Sequence, residues 1–407
     1  MQGDSATVSE IGGATHATNG EALPLSGMVV AEFCQIAAGP YCGMLLADIG
    51  ADVIKIEPPT GDAMRQWPPL NDGYSENFAS VNRNKRSIAL DLKDPGELAI
   101  AQGIARRADV LLENNRPGVM DRLGLGYAAL SEDNPGLVYC SISAFGQQGP
   151  RSTEGAFDVT MQGISGIMSV TGEPEGAPVK CGVPVSDFAT GLYGAFNIVS
   201  ALLRRGINGK GTHIDAPMLG ASLGIAALQT SEFFGTGRHP AKLGSKHPRN
   251  APYQAFKARD DFFVIAAGND RLWKTVCDVV GTPELVNDPR FLTTSDRAAN
   301  QDALKPLLEA RFADADAEDW LTRFRTAGVP SAPIYRYGEV LEDPQVASYG
   351  WVQPMTLPNG AAIQTFGPPI GMTGLDFPIR GPSPALNGNR GEIIAWLEDD
   401  ERCASGG

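Results

Sequence analysis

The chain has 407 residues, 43% of them apolar, and a formal net charge of −14. That length supports a large core and argues for two domains rather than one. The acidic balance disfavours nucleic acid or an anionic membrane surface as the main partner, but leaves room for a phosphorylated small molecule on a local basic patch.

The opening stretch, "MQGDSATVSEIGGATHATNGEALP", is polar and rich in small residues. It has no basic cluster leading into an apolar run, so residues 1–24 read as a flexible arm rather than a signal peptide. From Met28 strands and helices alternate. "MVVAEF" reads as a buried strand, "QIAAGP" as a turn with Pro40 suited to the first helical position, and "YCGMLLADIG" as a helix ending near Gly50. "ADVIKIE" and "RSIALDL" read as strands, and "DPGELAIAQGIARRA" as a helix capped by Asp94. "DVLLEN", "LVYCSISAF" and "GKGTHIDAPM" are further strands. Strands separated by helices of this length imply an α/β fold with a parallel sheet, which binds ligands at the carboxyl ends of its strands.

"LGASLGIAALQTSEFF" reads as one helix, and "GTGRHPAKLGSKHPRNAPYQ" as a loop. "FFVIAA" is a strand, followed by helices in "DRLWKTVCDVVG", "NQDALKPLLEARFA" and "AEDWLTRFRTAG". These place a second, smaller α+β domain at 226–330, between a large domain at 25–225 and a return to it at 331–407. In the tail, Asn359-Gly360 between alternating runs signals a hairpin. No apolar run is long enough to span a membrane. Six cysteines without a C-x-x-C pair suggest buried free thiols in a reducing cytoplasm, so a soluble cytoplasmic protein is expected.

The four histidines, His16, His213, His239 and His247, are scattered without ligand spacing, which argues against a metal site. G-x-S-x-G, the dinucleotide fingerprint and the Walker loop are all absent. Basic residues do cluster. Arg83, Lys85, Arg86, Lys93, Arg116, Arg122 and Lys55 make either a positive face for a phosphorylated cofactor or a solvated basic edge. Asp187, in "GVPVSDFATGLYGA", opens an apolar segment that reads as a helix. It is either a helix cap or, held ionised by the helix dipole, a nucleophile or base facing a cleft.

Seven stretches occur in an order that resembles the class III coenzyme A transferases. They are "AAGPYCGMLLADIGADVIKIEPPTGDAMR", "NRNKRSIALDLKDPGE", "DVLLENNRPGVMDRLGLGY", "LVYCSISAFGQQGP", "FDVTMQGISGIMSVTG", "GVPVSDFATGLYGA" and "GKGTHIDAPM". This group includes formyl-CoA:oxalate CoA-transferase and shares its fold with α-methylacyl-CoA racemase. The resemblance implies a Rossmann-like large domain, a small domain and an interlocked homodimer, with each active site between the large domain of one chain and the small domain of the other. It implies Asp187 as nucleophile. It places CoA contacts at Ala37, Ala38, Leu90, Lys93, Asn114, Asn115, Arg116, Arg122, Ala156 and Phe157. CoA and acyl-CoA enter as substrates, with no permanently bound cofactor and no metal.

There are departures from the family's pattern. Pro58 stands where the oxalate enzyme has a basic CoA contact, leaving Arg83, Arg86 or Arg116 to replace it. Ala37 stands where that enzyme has a glutamine, and "KHPRNAPYQ" replaces its tetraglycine loop, so oxalate is a poor guess. His247, Arg249 and Asn250 of that loop are the candidates for the acceptor carboxylate, and backbone amides of 247–251 for the developing oxyanions. The racemase needs a histidine before an aspartate as its second base; here the pair is Phe157–Asp158, and phenylalanine carries no proton. The expectation is a CoA-transferase working from succinyl-CoA or a similar donor to a carboxylic acid, set against two alternatives: a 2-methylacyl-CoA racemase or epimerase, and a non-catalytic CoA-binding protein.

Overall fold

The computed structural model describes residues 22–405, so most of the expected arm lies outside the described residues. In chain order the elements used below are β1 (Val29–Phe33), α1 (Ala38–Asp48), β2 (Asp52–Glu57), β3 (Lys85–Ala89), α2 (Pro95–Arg107), β4 (Val110–Glu113), β5 (Val138–Ser143), α3 (Asp158–Ile164), α4 (Val185–Asn208) and β6 (Thr212–Pro217). There follow α5 (Ala227–Thr236), β7 (Tyr253–Lys257), β8 (Phe262–Ala266), α6 (Asp270–Val280), α7 (Gln301–Phe312), α8 (Ala317–Thr326), β9 (Ser331–Pro333), β10 (Val352–Thr356), β11 (Ala362–Phe366) and α9 (Arg390–Ser405).

The chain forms two compact units. Among the described residues, the larger takes 22–156, Ser186–Ala221 and 350–405; the smaller takes Phe157–Val185 and Ser222–Tyr349. The larger unit holds a six-stranded sheet in the order β3-β2-β1-β4-β5-β6. All its strands are parallel, with Phe33 opposite Glu113 and Glu57 opposite Ala89. The chain winds outward from β1 to β3, then recrosses to β4, so the winding reverses between β1 and β4.

The apolar strand runs reflect helices on both faces. Val30, Val53, Val110 and Val138 pack with Cys42 and Leu46 of α1 and Ile198 of α4. Their neighbours Ala31, Ile54, Leu111 and Tyr139 point the other way, onto Ala101 and Ile104 of α2 and Ile393 of α9. Asp94 caps α2 as expected, accepting the Glu97 N–H, with Pro95 in the first turn. The expected hairpin forms as β10 and β11, with Gly360 at φ +88°. Cys34, Cys42, Cys140 and Cys277 are buried and Cys181 half-buried, all as free thiols.

The smaller unit is a three-stranded antiparallel sheet, β9-β8-β7, under α6, α7 and α8. Trp273, Phe256, Phe263, Phe312, Trp320 and Phe324 form its core. Its limits differ from the expected 226–330. The stretch 157–185 joins it because it bonds to the loop after α5: Gly244 donates to the Gly172 carbonyl, and Lys242 to that of Gly176. The single helix expected from 219 to 234 is broken at Ala226, into Met218–Ile225 and α5.

One close approach sets how α4 lies on α1. A Cβ on Gly191 would stand 2.8 Å from Tyr41 Cδ1 and 2.9 Å from the Ala38 carbonyl oxygen. Gly191→Ala should therefore cost about 1–3 kcal/mol of stability in urea unfolding, as overpacking does. Gly206→Ala, on the same helix with open space around it, should leave stability unchanged or raise it by up to about 1 kcal/mol through helix propensity.

Candidate active site

The carboxyl edge of the large sheet is where a parallel α/β sheet is expected to bind its ligand. After β1 the chain turns through Gln35 and Ile36 into α1. Ile36 sits at φ +70°, a left-handed conformation that a β-branched residue adopts only when its surroundings hold it there. Its N–H lies 3.1 Å from both carboxylate oxygens of Asp62. On the other side, Asn114 Oδ1 accepts the Gln35 N–H at 3.0 Å and its Nδ2 donates to the Gln35 carbonyl at 2.8 Å. Asn115 Nδ2 donates to the Phe33 carbonyl at 3.2 Å.

Asp62 is itself held from behind. It accepts the Met64 N–H at 3.0 Å and faces Lys55 Nζ at 3.0 Å. Lys55 Nζ also meets Glu32 Oε1 at 3.1 Å and the Cys34 carbonyl at 2.8 Å, and Lys85 Nζ meets Glu32 Oε2 at 2.8 Å. These four side chains are buried. Burial alone would push the Lys55 ammonium down, but Glu32, Asp62 and Glu57 outweigh it and hold it above its ordinary value. Nearby, Glu57 accepts Arg65 Nε at 2.8 Å, Arg65 Nη2 at 2.7 Å and the Asp62 N–H at 3.0 Å, which fixes the loop after β2.

A hollow of about 310 Å³ opens at this edge, its lining including Phe33, Gln35, Pro58, Leu90, Lys93 and Asn115. Leu90 is buried in its floor, and Lys93 is exposed. Ala37 and Ala38 are buried at the N-terminal end of α1, where backbone N–H groups lack helical partners. Arg116 and Arg122 are exposed beyond β4. Arg116 Nη2 lies 3.2 Å from where a Cβ on Gly155 would stand, which brings the chain at Ala156 beside it. Thus Ala37, Ala38, Leu90, Lys93, Asn114, Asn115, Arg116, Arg122 and Ala156 share the carboxyl side of one sheet. Phe157 falls in the smaller unit, where it is exposed and precedes α3.

The basic cluster divides. Lys55 and Lys85 are buried in the ion cluster rather than facing a ligand. Arg83 is buried against Asp48 and the Phe366 carbonyl, and Arg86 forms a two-point pair with Asp52. Both belong to the end of the sheet where β3 begins. Neither replaces the contact absent at Pro58. Of the expected positive face, Lys93 lines the hollow, and Arg116 and Arg122 stand exposed on the chain that follows β4.

Helix α4 begins at Val185, so Asp187 lies inside the first turn rather than at the cap. It is half-buried, and the helix dipole favours its anionic form there. Asp187 is one turn before Gly191, the residue in contact with the Ala38 carbonyl, so the two share a helix face. Phe188 packs on Tyr41 of α1, ring centroids 4.7 Å apart. The first turns of α1 and α4 thus lie side by side.

In the smaller unit, His247 stacks on Tyr253 at 4.9 Å, and its Nδ1 accepts the N–H groups of both Arg249 and Asn250 at 3.1 Å. The His247 N–H goes to the Tyr253 carbonyl, and Pro248 has none. These internal bonds correct the expectation that amides of 247–251 hold oxyanions: three of them already have acceptors. Burial, then Arg249, pushes the His247 imidazole below its ordinary value. Arg249 faces Glu232 at 3.3 Å. Buried Arg297 donates to the Ala251 carbonyl at 2.8 Å and so anchors the loop. Asp158 Oδ2 accepts from Gln162 Nε2 at 2.6 Å. Among the described residues no group of three or more His, Cys, Asp and Glu side chains is placed to hold a metal ion.

Asp62, Glu32 and Glu113 are absent from the sequence-based site. For Glu32 and Glu113 a signal was present: a charged residue inside an apolar parallel strand, as in "VVAEF" and "VLLEN", must be buried and therefore hydrogen-bonded; Asp62 sits in the loop after β2 and carried no such signal.

Residues 25–390 match CoA-transferase family III. The chain is 42% identical to acetyl-CoA:oxalate CoA-transferase of Acetobacter aceti, covering 89% of this chain and 93% of that one. It is 37% identical to succinate–glutarate CoA-transferase of Agrobacterium fabrum, over 94% and 98%. It is 35% identical to human succinyl-CoA:glutarate CoA-transferase, over 93% and 87%. A solved CAIB/BAIF family protein of Brucella suis superposes with a TM-score of 0.83 at 38% identity, covering 93% of this chain and all of that one.

Glu113 yields a pH prediction. It ends β4, buried, accepting the Asn115 N–H at 2.8 Å. Burial pushes its carboxyl up from 4.5 to about 7, against bonds from Ser141 and Asn115. Between these values the folded chain holds a proton that the unfolded chain has released, so Glu113 costs stability as pH rises from 4.5 to 7. Glu113→Gln should match the native chain near pH 4.5 and exceed it above pH 7, by up to about 3 kcal/mol. Paired urea titrations across that range check this; a difference that does not vary with pH contradicts it.

Proposed function

The chain belongs to CoA-transferase family III, and from that premise we propose that Asp187 is its nucleophile. It is an enzyme that transfers CoA between an acyl-CoA and a dicarboxylate. The observation that carries the assignment is a half-buried carboxylate in the first turn of α4, locked by Gly191 against the start of α1.

The chemistry uses only anions and needs no general base. An Asp187 carboxylate oxygen attacks the thioester carbonyl; the C–S bond breaks, CoA thiolate leaves and a mixed anhydride remains. The thiolate attacks the Asp187 carbonyl, the anhydride C–O bond breaks, and the donor acid leaves as carboxylate. The acceptor carboxylate then attacks the aspartyl thioester and expels the thiolate. The thiolate attacks the acceptor's acyl carbonyl, freeing the new acyl-CoA and the Asp187 carboxylate. Covalent catalysis divides one difficult exchange into easier displacements. A phenylalanine at 157 is compatible with this scheme, whereas a racemase would lack its second base there.

CoA occupies the hollow at the carboxyl edge, contacting Ala37, Ala38, Leu90, Lys93, Asn114, Asn115, Arg116, Arg122 and Ala156 as a substrate, with no permanently bound cofactor. Lys93, Arg116 and Arg122 supply positive charge for its phosphates. The donor is a short acyl-CoA such as succinyl-CoA and the acceptor a small dicarboxylate, because relatives carry glutarate, mesaconate and oxalate in their names. That set brings oxalate back among the acids to be tried. His247, Arg249 and Asn250 form the acceptor side, and Arg249 would exchange Glu232 for the acid.

The larger unit is Rossmann-like in this reading, supported by its strand order. The chain works as an interlocked homodimer in the cytoplasm. Leu192, Phe196, Val199, Leu203 and Ile207 lie exposed along one stripe of α4, an apolar face of the kind a second chain would cover. No described helix is long and apolar enough to cross a membrane.

Mass spectrometry of CoA exchange from succinyl-CoA to a panel of dicarboxylic acids tests the reading. Asp187→Ala should lower the exchange rate at least about a thousandfold while CoA still binds and the oligomeric state persists. In the native chain, hydroxylamine should trap an acyl adduct at Asp187; CoA binding without any adduct would mark a non-catalytic binder, and full activity in Asp187→Ala would end the proposal. Arg249→Ala should raise KM for the acceptor acid at least about tenfold with KM for acyl-CoA unchanged. An unchanged acceptor KM removes Arg249 from the site.

A further inference from the structure

We propose that Asp62 is a positioning residue for CoA, holding the β1–α1 turn in a conformation its own sequence disfavours. The inference rests on the reading of Ala37 and Ala38 as part of the CoA site.

The turn must deliver the chain from Phe33 to the first turn of α1, and it does so with Ile36 at φ +70°. Glycine adopts that conformation readily, and asparagine does so more often than other side chains; a β-branched residue there is a rarity. Something outside the turn must therefore stabilise it. Asp62 supplies two acceptors to the Ile36 N–H, both at 3.1 Å. Its position is over-determined by the Met64 N–H, by Lys55 Nζ and by its own N–H on Glu57. The charge of Lys55 is shared with Glu32, and the Asp62 carboxylate faces only donors in these contacts: the Ile36 and Met64 N–H groups and the Lys55 ammonium. Asparagine at 62 would retain one oxygen but turn N–H groups towards one of these donors. The turn would then relax towards negative φ, and the N–H groups at Ala37 and Ala38 would swing away from the ligand.

The double variant separates positioning from mere structural support. Glycine at 36 keeps the left-handed conformation without a clamp. The experiment measures CoA binding by calorimetry, and kcat and KM with succinyl-CoA, for the full chain, Asp62→Asn, Ile36→Gly and the two combined. Asp62→Asn should weaken CoA binding and raise KM about tenfold, with kcat changing less. In the double variant, affinity should return to within about threefold of Ile36→Gly alone. A structural role predicts the opposite, because glycine only adds disorder to the unfolded chain. Unchanged affinity in Asp62→Asn, or a double variant as weak as Asp62→Asn, overturns the proposal. Should Asp62→Asn not fold, Ile36→Pro carries the test while leaving every charged side chain of the ion cluster in place. It removes the N–H and forbids positive φ, so CoA affinity must fall at least about tenfold, and an unchanged value overturns the proposal. Failure of the functional reading looks different: there the native chain itself binds no CoA, or Asp187→Ala keeps full exchange.

Discussion

A buried lysine organises the candidate site. Lys55 lies in the middle of β2 with no exposed side-chain surface, and it exists there only because Glu32, Asp62 and the Cys34 carbonyl surround its ammonium. An isolated buried ammonium would lose its charge; a fully bonded one keeps it. Breaking such a group by removing one partner typically costs about 3–5 kcal/mol, since an uncompensated charge stays behind. Each partner belongs to a different piece of the site's scaffold. Glu32 is on β1, Cys34 starts the turn, and Asp62 belongs to the loop after β2. The cluster therefore ties three segments together at the carboxyl edge, where an open α/β sheet leaves its ligand crevice.

The proposed nucleophile arrives from elsewhere in the chain. Asp187 rides on α4, whose glycine at 191 permits backbone contact with the start of α1. Helix N-termini favour negative charge. That suits the proposed reaction, in which carboxylates and a thiolate exchange places without a proton being moved.

Much of the architecture was legible from local patterns. The six parallel strands follow from apolar runs separated by helix-length segments, and Asp94–Pro95 marked the start of α2. The break at Ala226 was not legible, because its flanks are equally helix-prone. The extent of the smaller unit was also hidden, since 157–185 joins it through bonds to a loop some 70 residues later. Leu90, Lys93 and Asn115, named from the resemblance, line one hollow, and Asn114 bonds to Gln35 beside it. The amides of 247–251 were misjudged because a histidine ring nitrogen from the same loop takes two of them.

The residues by themselves determined the α/β class, the order of strands and helices, and a short group of chemically competent side chains with Asp187 among them. Periodicity and capping act over a few residues, so they survive in a linear reading. Tertiary structure alone decided what each charge does. Lys55, Lys85, Arg83 and Arg86 look like Lys93 and Arg116 in sequence, yet the first four are tied up in ion pairs and the last two stand exposed. Burial and pairing depend on which strands become neighbours, and that follows from a winding that brings β1 against both β2 and β4.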